Sequence, residues 1–125
     1  MIHDLKIPKI LQSGEIDFHI PGMGDSTELQ LNDLRNLYTQ LVCWCLVQRF
    51  WYYVLADPQV SDVAYDKVER FVKEIEASGL VPINRESPTR MIGGDVASDY
   101  PFSIIDLFRY HPRYQQKQKK RKRRK

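Results

Sequence analysis

SDVAYDKVERFVKEIEASG, Ser61 to Gly79, reads as an amphipathic helix with both ends marked. Ser61 is a good N-cap, because its hydroxyl can accept from a backbone N–H that the first turn leaves free. Asp62, just inside the start, suits the positive end of the helix dipole. Ala64, Val68, Phe71, Val72 and Ile75 fall within an arc of about 100° at 100° per residue, one apolar face. Gly79 is a natural C-terminal stop after Ala77 and Ser78. Asp62, Tyr65, Asp66 and Glu69 form a second arc, centred roughly 125° from the first. The helix therefore offers one face to a core and a separate face of three acids and one tyrosine.

An earlier helix is expected to begin near Thr27, which with Gln30 three residues on fits a capping box. Leu31, Leu34, Tyr38, Leu41 and Cys45 then follow at three- and four-residue steps. After Val42 the apolar pattern broadens until Phe50, Trp51, Tyr52 and Tyr53 surround the axis. Such an end must be covered on several sides, by the domain itself or by something bound. Asp57 and Pro58 stop it. From Leu80 the chain turns loop-like, with Pro82, Pro88, Gly93 and Gly94. Pro101 to Tyr110 can hold a short helix through Ile104, Ile105, Leu107 and Phe108.

The outer segments read differently. Residues 1–25 hold IPKIL and EIDFHI as candidate short strands and PGMG, Pro21 to Gly24, as a turn, so a short N-terminal β-hairpin is the expectation there. No function attaches to it. Gln115 onward is too polar and charged to bury anything, and disorder is expected. The division is an uncertain segment 1–25, a helical domain with its linker over 26–94, a short extension 95–114 and a basic tail 115–125. The fold class expected is mostly α.

Composition narrows the function. The 125 residues suffice for one small domain, and 42% hydrophobic with 28% charged residues is ordinary for a globular protein. No apolar stretch reaches the ~18–20 residues of a membrane span. Leu41 to Leu55 is the most apolar run, and Gln48 and Arg49 interrupt it. Met1 to Lys9 shows no signal-peptide pattern, so the cytoplasm is the expected location. Cys43 and Cys45 are the only cysteines. Two apart on a helix, they point to nearly opposite sides and can neither pair nor share a metal. Both thiols are expected to be buried. His3, His19 and His111 lie in three separate regions, so no zinc spacing arises.

The net charge of +3 averages two unlike parts. KQKKRKRRK, Lys117 to Lys125, holds eight of the 19 basic residues and no acid. The other 11 face 16 acids, so the body carries about −5. Lys117, Lys119, Lys120, Arg121, Lys122, Arg123, Arg124 and Lys125 are thus the candidate nucleic-acid contacts. Basic runs of this kind also serve as localisation signals, and both readings stay open.

YYVLADPQVSDVAYDKV, Tyr52 to Val68, followed by SPTRMIGG, Ser87 to Gly94, resembles the N-terminal Ia subdomain of bacterial NAD-dependent DNA ligases. That family ends a helix in Y-[YH]-V-x-D-x-P, starts the next with I-[SP]-D-A-E-Y-D and continues to a D-S-P-T-x-x-V-G-G linker. The match runs from about Leu34 to Gly94. Ala56-Asp57, Val63-Ala64 and Arg90-Met91-Ile92 depart from the family pattern, while the tyrosines and the aspartates at 62 and 66 remain. The family's adenylated lysine lies in a K-x-D-G motif, and no such string occurs here. Its zinc-finger, helix-hairpin-helix and BRCT regions are also missing.

The resemblance implies a small helical domain that grips the nicotinamide mononucleotide half of NAD. In the family, a lysine of the adenylation domain attacks the adenylyl phosphorus and the mononucleotide leaves. Such transfer depends on placing the leaving group in line. The resemblance assigns Tyr52, Tyr53, Asp62, Tyr65 and Asp66 to cofactor binding. In this assignment the faces of Tyr52 and Tyr65 attract the cationic pyridinium, worth ~1–2 kcal/mol when desolvated, and the Asp62 and Asp66 carboxylates accept from the carboxamide or ribose hydroxyls. By residue type alone, Tyr52 and Tyr53 are equally a packed helix end, Asp62 a favourable first-turn acid, and Asp66 with Glu69 a solvated face. No catalytic residue and no metal ligand is assigned.

The expectation is one module of a split NAD-dependent ligase. Its partners are a separate chain carrying the K-x-D-G lysine and, with it, nicked duplex DNA. The alternatives are a freestanding NAD or mononucleotide binder, and a DNA-associated protein whose working part is the tail.

Overall fold

The computed structural model describes residues 31–91 and 94–123, with side chains up to Lys119. Helix α1 spans Leu31–Arg49 and runs directly into a π-helical turn, Phe50–Val54. Helix α2 spans Asp62–Ser78, α3 Phe102–Leu107 and α4 Pro112–Arg123, with 3₁₀ turns at Pro88–Arg90 and Ala97–Asp99. The mostly helical expectation holds, and no strand occurs among the described residues. The hairpin expected in 1–25 and the capping box at Thr27 and Gln30 lie outside the described residues.

Local chemistry sets the α2 boundaries. The Ser61 hydroxyl accepts from the Ala64 N–H at 3.1 Å, and Gly79 takes a left-handed φ of 73° at the C-terminal end. Val68, Phe71, Val72 and Ile75 are buried as the arc requires, while Ala64 is only partly covered. On α1, Leu34, Tyr38, Leu41 and Cys45 are buried, and Leu31 is exposed. Leu37, Val42 and Leu46 are buried as well, so the buried surface of α1 is wider than one stripe. Tyr38 meets Glu76 while Arg49 meets Tyr65, so α1 and α2 pack as an antiparallel pair.

One thiol departs from expectation. Cys45 is fully buried, but Cys43 is exposed. The helix geometry that separates the two thiols sends one to the core and the other to solvent.

The Phe50 ring joins the helical pair to the C-terminal part. It is fully buried, stacked on Phe108 at 4.4 Å between centroids and edge-on to Tyr100 at 5.1 Å. Tyr114 of α4 lies 5.7 Å from it. Trp51 packs edge-on against Phe108 and His111. The domain itself thus covers Phe50 and Trp51, and leaves Tyr52 and Tyr53 exposed.

Disorder is the expectation from Gln115 onward, and the described backbone is helical from Pro112 to Arg123. Pro112 opens the helix at its first position, where a missing N–H costs nothing, and glutamine, lysine and arginine are good helix formers. Tyr114 docks on Phe50, and Arg113 donates to the Leu55 carbonyl at 3.2 Å. A basic stretch that buries nothing by itself is held by two residues just ahead of it.

The linker around Ser87-Pro88-Thr89 is tied down by a polar knot. The Tyr38 hydroxyl donates to Glu76 Oε2 at 2.7 Å and accepts from the Asn84 N–H at 2.8 Å. Thr89 donates to Glu76 Oε1 at 2.6 Å, and the buried Ser87 hydroxyl lies 2.9 Å from that of Thr89. Burial would raise the Glu76 pKa, but the Ser87, Thr89 and Tyr38 hydroxyls outweigh it and hold the carboxyl below the usual range. Burial pushes the Tyr38 hydroxyl above its ordinary value. Further on, Gly94 sits at φ +114° under the Tyr100 hydroxyl, which donates to its carbonyl at 2.7 Å. A Cβ there would come within 3.3 Å of that hydroxyl.

Candidate functional site

A cleft of about 340 Å³ opens between the end of α1 and the start of α2. Gln48, Arg49, Tyr52 and Tyr53 form one wall, Asp62, Tyr65, Asp66 and Glu69 the other, with the Pro58–Val60 loop between them. All five residues that the sequence proposed for the ligand, Tyr52, Tyr53, Asp62, Tyr65 and Asp66, line this one cleft.

Backbone geometry explains how two adjacent tyrosines reach it. In a regular helix neighbours diverge by 100°. Here the chain shifts its register into π-type bonding, with the Leu55 N–H on the Phe50 carbonyl at 3.1 Å, and beyond it the Asp57 N–H closes a wider turn on the Trp51 carbonyl at 2.8 Å. Such a turn re-aims side chains and is common at functional sites. Phe50 goes inward, while Tyr52 and Tyr53 stay 46% and 47% exposed and meet edge-on at 4.8 Å. Ala56 then takes a left-handed φ of 52°, unusual outside glycine, and turns the chain toward α2.

Tyr65 sits deeper than the other two tyrosines. Its ring is stacked on Trp44, with centroids 6.1 Å apart and planes 18° from parallel. Arg49 Nε donates to its hydroxyl at 2.7 Å, and the same guanidinium reaches Glu69 Oε1 at 2.9 Å through Nη2. Burial raises the Tyr65 pKa far above its ordinary value, so the phenol stays neutral. Burial opposes the Arg49 charge, but the bonds to Tyr65 and Glu69 outweigh it and raise its pKa. Burial likewise drives the Cys45 thiol well above its usual range, leaving it inert beside this cluster.

Charge at the cleft is uneven. Among the described residues that line it, Asp62, Asp66 and Glu69 face one cation, Arg49, and that cation is already paired with Glu69. Asp62 and Asp66 are exposed, and the arrangement favours a flat cationic group over an anion. Among the described residues no three His, Cys, Asp or Glu side chains converge into a metal-ligand set.

The sequence reading missed Gln48, Arg49 and the loop residues as cleft walls and left Glu69 unassigned. One signal was available: Gln48 and Arg49 interrupt an otherwise apolar run, and polar groups in such a place need a partner or a task. Lys117 and Lys119, proposed for nucleic acid, are exposed on α4. The side chains of Lys120, Arg121, Lys122, Arg123, Arg124 and Lys125 lie outside the described residues. Among the described residues no helix is long and apolar enough to cross a membrane.

Comparison with known proteins converges on the same region. Residues 29–93, just over half the chain, match the family model described as DNA ligase-like, N-terminal NAD+-binding domain. A DNA ligase of Paenarthrobacter aurescens is 36% identical over 83 residues, which is 60% of this chain and 11% of that protein. A DNA ligase of Renibacterium salmoninarum is 39% identical over 83 residues, with the same two shares. One from Myxococcus xanthus is 41% identical over 49 residues, 39% of this chain and 7% of the ligase. The chain thus spans about a tenth of the length of the first two of these relatives. No solved structure matches. The matched stretch contains the whole of α1 and α2 and the cleft between them, and by that match the chain belongs to the DNA ligase-like, N-terminal NAD+-binding domain family.

Proposed function

We propose that the chain is the module of a split NAD-dependent DNA ligase that holds the nicotinamide mononucleotide half of NAD. One observation carries this: a single acidic cleft gathers Tyr52, Tyr53, Asp62, Tyr65 and Asp66 on two helices of a ligase NAD+-binding domain. At about 340 Å³ the cleft lies at the low end of the ~300–1,000 Å³ typical of small-molecule sites, which suits a ring and a sugar better than a whole dinucleotide.

The residues have distinct tasks in this reading. Tyr52 and Tyr53, exposed at the rim, offer their faces to the pyridinium. Asp62 and Asp66 accept from the carboxamide or ribose hydroxyls and complement the ring charge. Tyr65, braced by Trp44 and Arg49, forms the rigid back of the seat. Holding the leaving half in one geometry keeps it in line for the attacking lysine, which an adenylation domain on a separate chain supplies. Lys117, Lys119 and the basic residues after them contact duplex DNA through its phosphates. The module works in the cytoplasm.

Calorimetric titration of the full chain with nicotinamide mononucleotide and with NAD tests the seat, and Tyr52→Ala or Asp66→Ala is expected to weaken binding about tenfold. Mixing the chain with an adenylation-domain chain lacking its own Ia segment is expected to restore NAD-dependent adenylation of that partner. Unchanged NAD use by the partner refutes the split-subunit reading.

A further inference from the structure

Gln48 is a wall residue of the cleft, one turn before Tyr52 on the same wall. Its Oε1 is buried and has no hydrogen-bond partner among the described residues. Its neighbours are engaged: Arg49 donates to Tyr65 and Glu69, and Gln59 donates to the Asp57 carbonyl at 2.9 Å. Buried side-chain oxygens are seldom left unpaired, because desolvation removes their water without replacement. An orphan at a ligand cleft calls for a donor brought by the ligand.

We propose that Gln48 reads the carboxamide of the bound nicotinamide and makes the cleft selective for ligands that carry an amide N–H at that position. The inference rests on the reading of the cleft as a mononucleotide seat. A glutamine amide has one acceptor oxygen and two N–H donors. A primary carboxamide on the ligand is its complement, donating to Oε1 and offering its own carbonyl in return. A nicotinic acid carboxylate cannot donate, and it adds negative charge beside Asp62, Asp66 and Glu69. A methyl ketone at the same place, as in the 3-acetylpyridine analogue, keeps the ring charge and the carbonyl and lacks only the N–H. That analogue separates the hydrogen bond from the charge effect. Sites built to bond a polar group discriminate against the analogue lacking it, because the protein's own buried group stays unpaired.

The experiment titrates the full chain with nicotinamide mononucleotide, its acetylpyridine analogue and its nicotinic acid analogue. The same three titrations use Gln48→Met, which is close in volume and has no amide oxygen to leave unpaired. Wild type is expected to prefer the amide over the ketone about tenfold, the effect of one lost bond plus an orphaned acceptor. In Gln48→Met the amide and the ketone bind within about twofold of each other, while the acid stays weak because the acidic wall is intact. The Gln48 side-chain N–H resonances of the wild type provide a readout free of any folding defect in the variant. They are expected to shift with both ligands, since both offer a carbonyl, and to shift further with the amide, whose N–H also bonds Oε1. Equal wild-type affinity for amide and ketone overturns the inference and leaves the seat standing. A preference that survives Gln48→Met also overturns it. Wild type that binds none of the three refutes the seat itself, and the role of Gln48 with it.

Discussion

Removing the guanidinium of Arg49 tests what holds the back of the cleft. The Arg49–Glu69 pair is 2.9 Å long, with side chains only 18% and 16% exposed, and Arg49 Nε also donates to Tyr65 at 2.7 Å. At an effective dielectric of about 20 the attraction between charges some 4 Å apart is about 4 kcal/mol. Desolvating two mostly buried ions takes back much of that, and hydrogen bonds to charged groups net about 1.5–3 kcal/mol. A coupling of roughly 1–2 kcal/mol is therefore expected between the two residues. Arg49→Met alone should cost about 2–3 kcal/mol, since it strands the Glu69 carboxylate and removes a donor from Tyr65. Glu69→Gln keeps an acceptor for Arg49 and should cost about 1 kcal/mol. The double variant should fall short of the sum by the coupling. Urea unfolding of the full chain at low and high salt measures all four corners of the cycle. The coupling should largely survive salt, because the pair is sheltered. A coupling within about 0.3 kcal/mol of zero, or one that salt abolishes, refutes the argument for a buried latch.

Other variants probe other parts of the chain. Phe50→Ala removes the ring packed on Phe108, Tyr100 and Tyr114, and should destabilise by about 3–5 kcal/mol in denaturant unfolding. It should also raise amide exchange across α3 and α4, because that ring is their shared anchor; unchanged protection there contradicts the packing account. Ser61→Ala deletes the cap on the Ala64 N–H and should cost about 1 kcal/mol, read in the same assay, whereas Ser61→Asp should cost little. Glu76 has a folded pKa below its unfolded value, so its contribution is fully present above about pH 4.3 and lost as pH falls through the lower native value. The melting-temperature gap between wild type and Glu76→Gln should therefore be widest near neutral pH and narrow in acid; a gap independent of pH argues against the hydroxyl knot.

The fold and the site were legible to different degrees. The Ser61–Gly79 segment could be read residue by residue, because caps and a 3.6-residue stripe are local signals, and the structure reproduces both ends. The wider burial of α1 was less legible, since a helix touched by α2, by α3 and by the Pro88–Arg90 turn has no single face for periodicity to report. The helix over Pro112–Arg123 was not legible, because its tether to Phe50 and Leu55 spans about sixty residues of chain. For the site, the quoted resemblance picked out Tyr52, Tyr53, Asp62, Tyr65 and Asp66, and the structure gathers them in one cleft. Gln48 and Arg49 went unrecognised because their meaning depends on what faces them from another helix.

The amino-acid sequence alone determined where the α2 helix starts and stops, which of its faces is apolar and which acidic, and how charge divides between body and tail. The helix features each depend on residues within four or five positions of one another, and the charge division on simple counting. Only the tertiary structure decided that Arg49 would clamp Tyr65 and Glu69, that Phe50 would bury itself against the C-terminal helices, and that Gln48 would keep a buried oxygen with no partner among the described residues at the cleft. Those outcomes depend on where antiparallel packing sets one helix against another and on how the π-turn rotates the end of α1. Side-chain desolvation then makes each resulting pairing, or lack of one, count.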